Sequence, residues 1–201
     1  MHYGCAMSGI QQDTAPVAPG RREQLLAAAR AELAAKGYER TTVSSIAGRA
    51  NVAQGTFYLY FSSKEALPGA LAEQLSDALG AAARRGTEGV DDLDTAVDGL
   101  VEETWRTAAE YEDVLRIANR GIELARDWDE FAEMTAGWRE PIEEFLQRMQ
   151  AIGQVDDTLD PRTTACVLRD VLDRSMKAKC LFGKDDYARA TSVLVRRALA
   201  P

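Results

Sequence analysis

The sequence predicts an all-α chain, with a small N-terminal unit of three helices and a larger helical part behind it. Three observations carry that prediction. Apolar residues recur at spacings of three and four along nearly all of the chain beyond residue 20, the period of a helix with one buried face. No segment alternates apolar and polar residues over a useful length, as a half-buried strand would. Caps and breakers such as Gly37, Asn51, Asp160-Pro161 and Gly183 fall between the periodic stretches.

In chain order, residues 1–19 read as a flexible tail containing Gly, Pro and Ala, without the charged start and apolar core of a secretory signal. A first helix spans Arg21 to Lys36, with Leu25, Leu26, Ala29 and Leu33 on one face and Gly37 as its C-terminal cap. Arg21 and Arg22 at its start can reach phosphate, or stand as solvated surface arginines. The stretch that organises the chain follows, Thr41 to Leu67: TTVSSIAGRANVAQGTFYLYFSSKEAL. Thr42 is placed to cap a short helix whose buried stripe is Val43, Ile46 and Ala47. Asn51 suits the corner after it, because Asn tolerates the left-handed conformation. A second short helix then spans Ala53 to Tyr60. Ala53, Phe57 and Phe61 should pack on the first helix, which turns Gln54, Gly55 and Tyr58 outward. Together these elements make a helix-turn-helix.

From Ser63, as cap, a long helix is predicted toward Arg85, with Glu65 in its first turn and Pro68 either kinking it or tolerated early. ARRGTEGVDD reads as a linker. Helices follow over Asp92–Ala109, Tyr111–Arg126 and Trp128–Ile152, the last interrupted by Pro141. GQVDDTLDP is a turn, and Asp160-Pro161 opens a helix to about Leu181. The final helix, Lys184 to Ala200, carries Tyr187, Ala190, Leu194 and Ala198 on one face.

A chain of 201 residues can bury a sizeable core. No run of 18 apolar residues exists, so no membrane span is expected and the cytoplasm is the default location. Cys5, Cys166 and Cys180 form no framework spacing and read as free thiols. The one histidine, His2, lies in the tail, so neither a zinc site nor a histidine base is expected. With no Gly-rich phosphate loop and no paired nucleophile, the sequence does not read as an enzyme, and it calls for no cofactor. The net charge of −8 divides unevenly. Residues 18–67 hold 7 Lys/Arg against 4 Asp/Glu (+3), whereas residues 68–201 hold 17 against 27 (−10). Phosphate contact therefore belongs to the N-terminal unit.

Thr42, Ile46, Ala47, Ala50, Val52, Gly55, Thr56, Phe57, Tyr58, Tyr60, Phe61, Lys64, Glu65 and Leu67 resemble the signature of the TetR family of transcriptional regulators. The signature and the helix before it cover about a quarter of the chain. Asn51 departs from the pattern, which usually carries Gly there, but both residues answer the same backbone need. The resemblance implies a flexible tail (1–19), a helix-turn-helix DNA-binding domain (20–67) and a helical effector-binding and dimerisation domain (68–201). It further implies a homodimer formed through the two C-terminal helices, bound to a palindromic operator in double-stranded DNA and released by a small hydrophobic or aromatic effector.

By that resemblance, Gln54, Gly55, Thr56, Leu59 and Tyr60 are the candidates for base edges and thymine methyls. An amide such as that of Gln54 can pair in bidentate fashion with adenine. Thr42, Tyr58 and Lys64 are candidates for phosphate, which fixes register without reading sequence. Trp105, Trp128, Phe131, Met134, Trp138 and Phe145 are candidates to line an effector cavity, with plain core as the alternative for each. A DNA-binding protein without a small-molecule effector, architectural or redox-responsive, is the other reading.

Overall fold

Gly20, in the left-handed conformation (φ 81°), opens the first helix, α1 (Arg21–Lys36), whose Leu25, Leu26, Ala29 and Leu33 are buried as their spacing predicts. Gly37 closes it, donating its N–H to the Leu33 carbonyl at 2.9 Å. The computed structural model describes residues 20–122 and 133–201 of the chain, and among these every regular element is helical.

In α2 (Val43–Arg49), Thr42 Oγ1 accepts the Ser45 N–H at 3.1 Å, and the Ser45 side chain takes the Thr42 N–H in return. This capping box satisfies two donors that would otherwise lack partners. Asn51 turns the corner at φ 53°, the one non-glycine residue in left-handed backbone among those described. The next helix, α3 (Gln54–Tyr58), is shorter than the predicted Ala53–Tyr60. Beyond Tyr58 the chain tightens, the Leu59 and Tyr60 amides bonding to the carbonyls three residues back. Ala53, expected to pack on α1, is exposed, because it sits in extended backbone ahead of the helix.

A single 3₁₀ turn, Lys64–Ala66, precedes α4 (Leu67–Thr87). Ser63 does not cap it through its side chain. Its hydroxyl instead bonds to Glu65 and holds that carboxyl below the usual range. Pro68 lies in the first turn of α4, where N–H groups have no helical partner, so the helix accommodates it. The predicted linker is shorter than ARRGTEGVDD. Arg84 to Thr87 belong to α4, which leaves residues 88–92 as the connection.

Behind them stand α5 (Leu93–Glu110), capped by Asp92 on the Thr95 N–H at 2.9 Å, α6 (Glu112–Ile122) and α7 (Ala136–Ala151). The chain ends in α8 (Pro161–Phe182), capped by Asp160, and α9 (Tyr187–Leu199). Residues 123–132, on which parts of two predicted helices fell, lie outside the described residues.

The long helix α4 packs against α5, α6 and α7 at once and also touches α1, α7 lies on α8, and α9 rests on both α5 and α8. Two glycine crossings allow the close approach to α4. A Cβ on Gly86 would stand 2.4 Å from the Gly99 carbonyl of α5, and one on Gly80 would stand 2.0 Å from the Gly137 carbonyl of α7. That second carbonyl is the one whose helical partner would have been the missing N–H of Pro141. The buried core runs continuously from Leu26 and Phe57 through Leu71 and Val97 to Ile142 and Leu172. Ile152, read as part of the α7 stripe, lies beyond its end and is exposed.

Candidate nucleic-acid interface and body cavity

A five-residue helix cannot stand alone, and α3 is fixed by its own aromatic residues. Phe57 is fully buried, Phe61 packs beside it at 5.3 Å between ring centroids, and the Tyr58 ring meets Phe57 edge-on at 5.5 Å. The helix pair beneath is tied to α1 twice. Gln24 Nε2 donates to the Ala50 carbonyl at 3.0 Å, and the buried Glu32 receives Arg49 at 2.7 Å and Lys36 at 2.6 Å. Hydrogen bonds from Lys36, Arg49 and Ser45 pull the Glu32 carboxyl down to about 2. Glu32 lies on the buried face of α1 beside Ala29 and Leu33; it was not singled out from the sequence, where a charge on an apolar stripe is the signal that could have found it.

This anchoring leaves one edge open. Gln54 and Gly55 are exposed, Tyr58 and Leu59 retain 53% and 64% of their surface, and Thr56 and Tyr60 are half-buried. Thr42 is exposed at the start of α2. Lys64 is half-buried: its Nζ donates to the Tyr38 carbonyl at 3.1 Å and lies 4.4 Å from the Tyr38 ring centroid. Arg22 is paired with Glu73 of α4 at 3.0 Å and lies over the Phe61 ring. An exposed amide, hydroxyls and apolar tips on a short helix are groups of the kind that can contact base edges in a major groove.

The helices behind enclose a cavity of about 100 Å³ between α4, α6, α7 and α8. Of the six residues expected to line a cavity, Met134 and Trp138 stand in its wall. Trp105 is buried elsewhere, with Lys179 Nζ 4.6 Å from its ring, and Phe145 is a core residue of α7. Trp128 and Phe131 lie outside the described residues. The α4 wall is apolar apart from Ser76, whose Oγ accepts the Trp138 N–H at 3.0 Å. The charged groups of the wall, Arg169, Asp170, Asp173 and Lys177, all come from α8 and were not singled out from the sequence. At the outer face of α8 and α9, Val167, Phe182, Tyr187, Val193 and Leu194 are exposed, while Thr191, Ser192, Val195 and Leu199 face inward.

Residues 25–71, which span α1 to the start of α4, match the family of bacterial regulatory proteins of the tetR type. Over 156 residues, 78% of this chain and 80% of that protein, the sequence is 27% identical to the uncharacterised HTH-type transcriptional regulator YvdT of Bacillus subtilis. The fold is similar to that of the fatty acid degradation regulator FadR from Bacillus halodurans, with a TM-score of 0.69, 24% identity, and coverage of 92% of this chain and 97% of that one. It is also similar to FadR from Bacillus subtilis, solved in complex with stearoyl-CoA, with a TM-score of 0.67, 20% identity, and coverage of 89% and 97%. No helix among the described residues is long and apolar enough to cross a membrane.

Proposed function

Because this chain is a DNA-binding transcriptional regulator of the TetR family, we propose that it is a cytoplasmic homodimeric repressor released from a palindromic operator by a small effector. The observation that carries this reading is the arrangement of α3. Phe57 and Phe61 lock the helix in place, and Gln54, Gly55, Tyr58 and Leu59 are turned to solvent on the basic part of the chain. Gln54, Gly55, Thr56, Leu59 and Tyr60 address base edges and methyls; Thr42, Tyr58 and Lys64 address phosphate. Residues 20–67 form the DNA-binding domain and residues 68–201 the effector-binding and dimerisation domain.

Dimerisation is supported by the faces of α8 and α9. On α9 the polar Thr191 and Ser192 point into the chain, while Tyr187 and Leu194 point out beside Val167 of α8. That inversion suits a four-helix bundle with a second copy. Two heads roughly 34 Å apart would then meet successive major grooves. An effector in the body favours the conformation whose head spacing misfits the operator, and it acts only through its difference in affinity for the two states. Stearoyl-CoA bound to FadR, a protein of this fold, supports an amphiphile as occupant.

The test is selection of bound sequences from a random DNA pool, followed by gel-shift titration of the enriched site. Enrichment of an inverted repeat bound by two chains is expected. A folded dimer that enriches nothing at low salt would falsify the proposal.

A further inference from the structure

Resting on the body as the effector-binding part, we propose that its cavity takes a small uncharged molecule that presents a hydrogen-bond acceptor, such as a ketone or ester oxygen, to the indole N–H of Trp138. The charges of the wall set the first condition. Arg169 donates Nε and Nη2 to Asp170 Oδ1 at 3.1 and 2.7 Å, and Lys177 Nζ stands 2.8 Å from Asp173 Oδ2, so two cations answer two anions along α8. Arg169 is 2% exposed, and its Nη1 donates to Thr135 Oγ1 at 2.6 Å. Among the described residues of the wall, no charge is left over for an ionic occupant. An ion would bring its own unanswered charge into a buried space, which is costly.

The uncharged polar groups set the second condition. Trp138 Nε1 is buried and meets no acceptor among the described residues, although an indole nitrogen can only donate. A buried donor in that state destabilises the fold, and an acceptor placed against it recovers the loss. Ser76 lies in the same wall and accepts the Trp138 backbone N–H at 3.0 Å, a bond that does not use its own hydroxyl hydrogen. Both side chains therefore have a hydrogen to give, while Leu75, Leu79, Leu115, Met134 and Met176 add apolar surface to the wall. Size sets the third condition. A cavity of ~150 Å³ encloses the six carbons of benzene, so the cavity of about 100 Å³ here suits about four non-hydrogen atoms.

Acetone and its size-matched counterparts 2-methylpropene (apolar), acetate (anionic) and isopropylammonium (cationic) test this. Each is titrated at millimolar concentration and neutral pH into the full-length ¹⁵N-labelled protein, and the indole N–H resonances are followed by NMR. Acetone should move the Trp138 resonance downfield with a saturating dose dependence. 2-Methylpropene should give no downfield shift, and the two ions should leave the resonance in place. Trp105, whose Nε1 is also buried and unmatched among the described residues but stands outside the wall, is the internal control. Trp105→Phe and Trp128→Phe identify the Trp138 signal by elimination, so no substitution in the wall is needed. An ion that moves the resonance as far as acetone overturns the uncharged occupant. An equal downfield shift from 2-methylpropene overturns the acceptor, and no response to acetone overturns the site. Operator release is measured apart from these shifts. A charged or larger ligand that releases the selected site, where acetone gives no shift, overturns this occupant and leaves the effector reading standing.

Discussion

Arg30 of α1 and Asp113 of α6 share two hydrogen bonds, Nε to Oδ2 and Nη2 to Oδ1, both 2.6 Å long. Nη2 also donates to the Glu110 carbonyl at 2.7 Å, and the guanidinium lies 4.7 Å from the Tyr111 ring centroid. Four features of one arginine thus converge on the junction of α5 and α6. Burial raises the cost of the Asp113 charge, but the Arg30 hydrogen bonds and charge outweigh it and hold the carboxyl below its usual range. The pair fixes the helix-turn-helix unit against the helices that enclose the cavity.

Bidentate arginine–carboxylate geometry makes this pair stronger than a typical surface ion pair, and partial exposure limits it. In a double-mutant cycle of Arg30→Gln and Asp113→Asn, the coupling energy is expected at about 1 kcal/mol. Urea denaturation of the four proteins measures it. A coupling indistinguishable from zero would mean that Arg30 acts through Glu110 and Tyr111 instead.

Glu32 supplies the pH dependence of the N-terminal unit. Its folded value of about 2 lies below the ~4.3 of an unfolded glutamate. The stability it contributes is therefore present above pH ~4.3 and is lost as pH falls toward about 2. Acid unfolding followed by the protection of α1 and α2 amides should show this loss, and Glu32→Gln should flatten it. An unchanged acid profile in Glu32→Gln would place the transition on other carboxylates.

Much of the unit around α3 was legible because its signals are local. Gly37 and the four-residue apolar stripe bound α1, Asn51 marked the corner, and Phe57 with Phe61 fixed which side of α3 faces out. What was not legible depends on residues distant in sequence. Gly86 reads as a linker glycine until Gly99 of α5 is seen to require it inside α4. Arg30 and Asp113 are 83 positions apart, and neither has a local pattern that announces the other. Asp173 and Lys177, four positions apart on α8, carry no local pattern that singles them out, and only the packing of α4 and α7 over α8 places them in a cavity wall. The short α3 and the exposed Ala53 are the reverse case, where a local pattern overstated a helix.

The Gly86–Gly99 crossing sets two effects against each other. Replacing a helical glycine by alanine gains about 1 kcal/mol in propensity. At Gly86, however, the new Cβ would stand 2.4 Å from the Gly99 carbonyl oxygen, and its nearest neighbours are all α5 backbone, with no flexible side chain to yield. Overpacking of that kind costs about 1–3 kcal/mol, so Gly86→Ala is expected to be net destabilising. Gly48→Ala, on α2 with open space around it, is the control and should be neutral or stabilising. Melting temperatures decide the matter, and a stabilised Gly86→Ala would mean that α4 and α5 separate easily.

Among the residues proposed to face DNA, Lys64 is the hardest to assign, because its ammonium already has partners. It donates to the Tyr38 carbonyl and lies over the Tyr38 ring, so loss of the side chain affects folding whether or not it meets phosphate. The two roles differ in their salt dependence. A phosphate contact releases counterions, and its removal lowers the slope of log affinity against log salt by about 0.9 per contact. Lys64→Ala is therefore expected to weaken binding to selected and unrelated DNA alike and to reduce that slope by about 1. Gln54→Ala should behave in the opposite way, keeping the slope and narrowing the ratio between selected and unrelated DNA by about 1–3 kcal/mol. Should Lys64→Ala lower only the melting temperature at constant slope, the residue is a brace between the 3₁₀ turn ahead of α4 and the loop after α1, and phosphate contact passes to Thr42 and Tyr58.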